Sequence, residues 1–152
     1  MKLAEALQER ADLNNKLSYL KTRIMNNVLV QEGEEPAEDP KKLMTEFDSA
    51  AARLEVLIRQ INHTNAVTEI DGKTLTAMIA EKDCLSLRLN MYREAVNQAS
   101  ERISRYGRNE IRNVSYLDVP TTQKAADSLA KELRLLDNKL QSSNWTVELI
   151  ED

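Results

Sequence analysis

Cysteine occurs once in 152 residues, as Cys84, which excludes an internal disulfide and a metal site built from four thiolates. Histidine also occurs once, as His63, so a site needing two imidazoles is out of reach. Aromatic residues make up 4% of the chain, too few for the stacking faces that small-molecule pockets and single-stranded nucleic-acid platforms use. The three glycines, Gly33, Gly72 and Gly107, stand apart in turn-like contexts, so no phosphate-cradling loop or nucleotide fingerprint is present. A basic excess is missing as well. The net charge is −4, and a chain without a basic footprint is not expected to bind nucleic acid. No apolar run reaches 18 residues and no signal-peptide pattern opens the chain, so neither a membrane nor secretion is expected. The expected location is the cytoplasm. The Asn-x-Ser/Thr sequons at Asn62, Asn113 and Asn144 are then read as chance.

What remains is 41% hydrophobic and 30% charged, enough apolar matter for a core. A chain of this length buries about 70% of its unfolded surface, and one domain over 1–152 is the expected organisation. Leu3, Leu17 and Ile24, with Ala6, Leu13 and Leu20, repeat at spacings of three and four and predict a helix over 2–27. Arg10 and Asn27 interrupt that stripe. Residues 28–39 form an acidic loop with five carboxylates and no base. Asp39 as N-cap and Pro40 at the first helical position open a second helix over 40–64. Its stripe is Leu43, Phe47, Ala50, Leu54, Leu57 and Ile61. Met44, Ala51 and Ile58 widen that face toward bundle packing. Asp71-Gly72 marks a turn, and Thr74 or Thr76 caps a third helix over 74–106. Its stripe runs Met78, Leu85, Leu89, Tyr92, Val96, Ala99, Ile103 and Tyr106, broken by Lys82, and Gly107 ends it. Such a helix reaches about 45–50 Å, roughly 10 Å longer than its neighbours. Pro120 opens a fourth helix over 120–143, with Ala126, Leu129, Leu133, Leu136 and Leu140 on its apolar face.

The fold class predicted is all-α: an antiparallel bundle of four long helices with short β-segments at its ends. In an up-and-down arrangement, Val28–Val30 and part of 111–117 share one end. Val67–Ile70 and the alternating tail 145–149 share the other. Each pair is expected to form a small ladder that satisfies backbone groups.

Few residue groups point to chemistry. Arg102, Arg105, Arg108 and Arg112 fall within eleven residues and form a candidate anion-binding site. The plainer reading sets that cluster against the acidic loop, where the charges neutralise one another. His63 lacks a Glu-x-x-His spacing, because Gln60 stands three residues before it, and reads as a helix-end histidine. Cys84 shares a face with Ala77 and Met91 and reads as a small buried hydrophobe. Arg10, Asn27 and Lys82 read as polar residues that fix register. Carboxylates such as Glu46, Asp48, Glu55, Glu94 and Glu101 read as a solvated face. No catalytic residue, metal site or cofactor is expected.

Four stretches carry a resemblance: the run from Gln31 to Pro40, Ile61-Asn62-x-Thr64-Asn65, Arg105-x-x-Arg108-x-Glu110-Ile111, and Asn144-Trp145-Thr146. Together they resemble an uncharacterised family of small bacterial helical proteins often labelled septicolysin, over residues 1 to about 149. The departures are His63, where arginine is usual, and Gly107, where serine is usual. The resemblance implies a helical bacterial protein with no catalytic residues to transfer, and the label implies pore formation. The chain itself has no β-hairpin long enough to span a bilayer. The expected function is a non-catalytic, self-associating structural or partner-binding protein, a homo-oligomer whose protein partner is unknown. The alternatives are a septicolysin-like membrane-acting toxin and an anion- or nucleotide-binding protein that uses the arginine cluster.

Overall fold

The computed structural model describes residues 1–101 and 111–151. Four helices carry most of the described chain: α1 (Leu3–Asn27), α2 (Pro40–Val67), α3 (Leu75–Ser100) and α4 (Val119–Thr146). Two strands of two residues each, β1 (Glu69–Ile70) and β2 (Lys73–Thr74), pair in one hairpin. The all-α class with short β-segments is therefore the one adopted. The chain divides into two compact units: Met1–Ile70 with Ser142–Asp152, and Asp71–Gln141.

In the first unit, the apolar stripes of α1 and α2 face each other. Leu20, Ile24 and Leu43 form a buried cluster on which Phe47 packs. Leu3, Ala6, Leu57 and Ile61 are almost wholly shielded from water. The ion pairs between the helices fix their direction. Glu9 meets Arg53 and Lys16 meets Glu46, so residue numbers rise on one helix as they fall on the other. The pairing is antiparallel. At the start of α2, the Asp39 carboxylate accepts from the Lys41 N–H at 3.0 Å and Pro40 occupies the first turn, as its sequence predicts.

The C-terminal tail completes this unit. The Leu3 N–H donates to the Val147 carbonyl at 2.9 Å, and the Leu149 N–H to the Met1 carbonyl at 2.8 Å. The first of these satisfies a donor that a helix N-terminus otherwise leaves without a partner. Thr64, fully buried on α2, gives its hydroxyl proton to the Gln60 carbonyl and accepts from the Ile150 N–H at 3.0 Å.

In the second unit, Leu85 and Leu89 of α3 pack against Ala126 and Leu129 of α4, with Tyr92, Leu133 and Leu136 at the margins. The Thr74 hydroxyl accepts from the Ala77 N–H at 3.1 Å and caps α3. Asp118 caps α4: its carboxylate accepts from both the N–H and the hydroxyl of Thr121.

Several expectations need correction. The third helix is not the longest: α3 ends at Ser100 and has 26 residues, against 28 in α2 and in α4. The Ser100 hydroxyl bonds back to the Val96 carbonyl, and the Glu101 N–H closes a tighter turn onto Gln98. Ile103, Tyr106 and Gly107 lie outside the described residues. The expected ladder between 67–70 and 145–149 does not form. Val67 stays in α2, and Glu69–Ile70 pairs locally with Lys73–Thr74 through Asp71-Gly72, both at positive φ. Trp145 and Thr146 stay helical, because the Val147 N–H still reaches the Ser143 carbonyl. Glu148 then bridges to Lys2. Neither Val28–Val30 nor 111–117 forms a strand. In 111–117, the Ser115 hydroxyl both accepts from the Leu117 N–H and donates to its carbonyl, a local alternative to a ladder.

Leu57 of α2 has no exposed surface. Leu57→Ala should lower unfolding free energy by about 2–5 kcal/mol in a urea titration followed by circular dichroism.

Candidate functional site

Of the four arginines expected to bind an anion, Arg112 is described and exposed. Arg102, Arg105 and Arg108 lie outside the described residues, as does any contact between them and the acidic loop. Arg112 stands on a cleft of about 1040 Å³ in the second unit, between the last turns of α3 and residues 112–117. Gln98, Glu101, Asn113, Ser115 and Tyr116 also line it. A guanidinium offers five N–H donors in a planar fork and stays charged at any working pH, which suits a phosphate or carboxylate. Glu101 on the same cleft works against an anion.

In the acidic loop, structure replaces chemistry. Arg23 on α1 grips Glu38 with two guanidinium nitrogens, its Nε at 2.9 Å from Oε2, and lies over the Tyr19 ring at 5.3 Å. The hydrogen bond from Arg23 holds the Glu38 carboxyl below its usual range, against some desolvation. Asn27 was expected to fix register between helices. Instead, it closes the loop: its Nδ2 donates to the Arg23 carbonyl at 2.7 Å, and its Oδ1 accepts from the Glu38 N–H at 3.0 Å. Asp39 caps α2. Two of the five loop acids thus have defined structural work.

Lys82 interrupts the apolar stripe of α3, and its Nζ meets the Asp137 carboxylate of α4 at 2.5 Å. That bond holds Asp137 below its usual pKa. Both side chains stay more than a third exposed, so the pair contributes ~0–1 kcal/mol and acts chiefly on helix alignment. His63 is exposed on α2, one turn before its end. Cys84 is exposed on α3, and the expectation of a buried thiol is corrected. The physical reason is helical geometry: Cys84 shares its face with Ala77 and Met91, and that face points away from the α4 contact. Among the described residues, no three His, Cys, Asp or Glu side chains converge on a possible metal site. Among them, too, no helix is long and apolar enough to cross a membrane.

Asp137 escaped the sequence reading, as did the particular part that Glu38 plays among the loop acids. A partial signal existed for Glu38: seven-residue steps from Glu9–Arg53 through Lys16–Glu46 bring Arg23 opposite Asp39, one residue from Glu38. Leu87, 70% exposed on α3, escaped as well, although it lies one turn from both Cys84 and Met91.

Comparison with other proteins adds kinship and no activity. The sequence pattern of a family described as of unknown function matches residues 10–149. The solved structure of a "functionally unknown conserved protein" from Corynebacterium diphtheriae is 38% identical, covers 99% of both chains and superposes with a TM-score of 0.93. No curated protein matches. Neither description carries the septicolysin label.

Four carboxylates, Glu9, Glu38, Asp137 and Glu148, are held below their usual pKa, each first by a hydrogen bond from Arg53, Arg23, Lys82 or Lys2. A depressed carboxyl favours the folded chain above its unfolded pKa, and this support is lost as pH falls through the folded value. The melting temperature should therefore hold between about pH 7 and 5 and fall below about pH 4. In the same scan, Arg23→Gln should melt lower at neutral pH and lose less on acidification.

Proposed function

The chain belongs to the family of unknown function DUF6847, and on that footing we propose that it is a non-catalytic helical protein that works by self-association. The observation that carries this reading is apolar surface left in water on well-formed helices. Leu87 and Met91 on α3 are 70% and 53% exposed, and Leu135 on α4 is 57% exposed. Large apolar side chains that recur on a regular helix face are covered when a second helix packs there. The proposal assigns no catalytic residue, metal or cofactor, and places the protein in the cytoplasm, where an exposed Cys84 stays reduced. Size-exclusion chromatography with light scattering should return a mass above the 17.3 kDa of one chain. A clean monomer at about 100 µM, well above a micromolar dissociation constant, would end the reading.

A second reading, an anion-binding protein, is favoured by Arg112, which has no partner among the described residues and faces the cleft. If it holds, inorganic phosphate raises the melting temperature of the full chain, and Arg112→Glu removes the rise without changing the ligand-free melt. Equal responses from both proteins would dismiss it.

A further inference from the structure

We propose that α3 pairs with α3 of a second copy in antiparallel orientation, along a seam of Ala77, Ala80, Cys84, Leu87 and Met91. This deepens the self-association reading and rests on it. The seam is a heptad pattern separate from the one that builds the core. Met78, Leu85, Leu89 and Val96 are 8% exposed or less. At about 100° per residue, Leu87 lies nearly opposite Leu85 on the helix. Ala77, Ala80, Cys84, Leu87 and Met91 alternate at spacings of three and four, and all five are exposed. A helix with apolar stripes on two sides has one stripe for its own fold and one for a partner.

Charge selects a second copy as the partner and sets its direction. In antiparallel heptad pairs, each seam residue of one kind faces one of the other kind. Centring the pair between Leu85 and Ser86 sets Cys84 against Leu87 of the second copy, and Ala80 against Met91, each contact occurring twice. In that register, Glu81 flanks the seam beside Arg88 of the second copy, again twice, and Asp83 lies beside Asn90. The surface is complementary to itself, as a two-fold interface requires. Arg88 is exposed and has no partner among the described residues. Glu81 accepts from Lys73 at 2.9 Å, and its carboxylate keeps further lone pairs for a second cation. A parallel pair would match Asp83 with Arg88, but it would also set Glu94 against Glu94 at the seam position that follows Met91, where like charges repel. The antiparallel pair instead sets Glu94 against Ala77, at the end of the seam. That difference decides the orientation.

The experiment uses the full chain and sedimentation or light scattering across a concentration series. Leu87→Glu should halve the assembly mass while leaving helicity and the thermal melt of the dissociated chain unchanged, since Leu87 takes no part in the core. Arg88→Glu and Glu81→Arg should each weaken association about tenfold, and the double variant Glu81→Arg with Arg88→Glu should restore it. If the wild type assembles and Leu87→Glu does not affect it, this seam is wrong while self-association stands. If the double variant is no stronger than Arg88→Glu alone, the antiparallel register is wrong, because in the parallel pair a glutamate at 88 would face Asp83 whatever stood at 81. A monomeric wild type overturns the broader reading and this seam together.

Discussion

Burial of one leucine-rich stripe per helix, against the stripe of an antiparallel neighbour, is the constraint on which everything else in this protein depends. Leu20, Leu43 and Leu57 in the first unit, and Leu85, Leu89 and Leu129 in the second, leave water only if the two helices of a pair keep one register. Polar groups then act on alignment. Glu9 with Arg53, Lys16 with Glu46, and Lys82 with Asp137 lie on the margins of these contacts, too wet to contribute much energy but well placed to penalise a slipped register. The division of labour is between apolar area, which supplies stability, and charge, which supplies alignment.

The same logic explains which features were legible in the sequence. Helix positions were, because a 3.6-residue period repeated over five or six turns is a long signal and does not depend on what lies across from it. The Asp39-Pro40 start and the Thr74 cap were legible because capping is local chemistry. Strand pairing was not, because two or three β-prone residues gain a ladder only from a partner that the folded chain has to supply. Asp71-Gly72 supplied one for Glu69–Ile70 within four residues, so the more distant tail was not used. The tail went instead to the N-terminus, where α1 had backbone donors in need of acceptors. Cys84 was misplaced for a related reason: an apolar face at helical spacing does not say whether its cover lies within the chain.

The candidate site was legible in part. The arginine cluster stood out by composition, and Arg112 does reach a cleft, but it shares that cleft with Glu101, a residue on the far side of the cluster in sequence. The loop acids stood out as well, yet two of them have structural roles. Arg23 and Asn27 hold Glu38 in place, yet Asn27 reads in sequence as a flaw in a stripe and nothing in the sequence marks Arg23. A side chain's part in a loop closure depends on backbone groups that carry no residue identity, so it cannot be read from composition.

Asn27 shows what such a closure demands. One end of its side chain gives a hydrogen bond to the Arg23 carbonyl while the other takes one from the Glu38 N–H. A carboxylate of the same shape would set oxygen against oxygen, and a longer amide would overshoot a position that is 8% exposed. The two ends of the loop are therefore clamped by a single polar head, while residues 31–37 between them remain exposed. Length and charge in that span can drift without loosening the clamp, which leaves it a cheap place to acquire a new binding specificity.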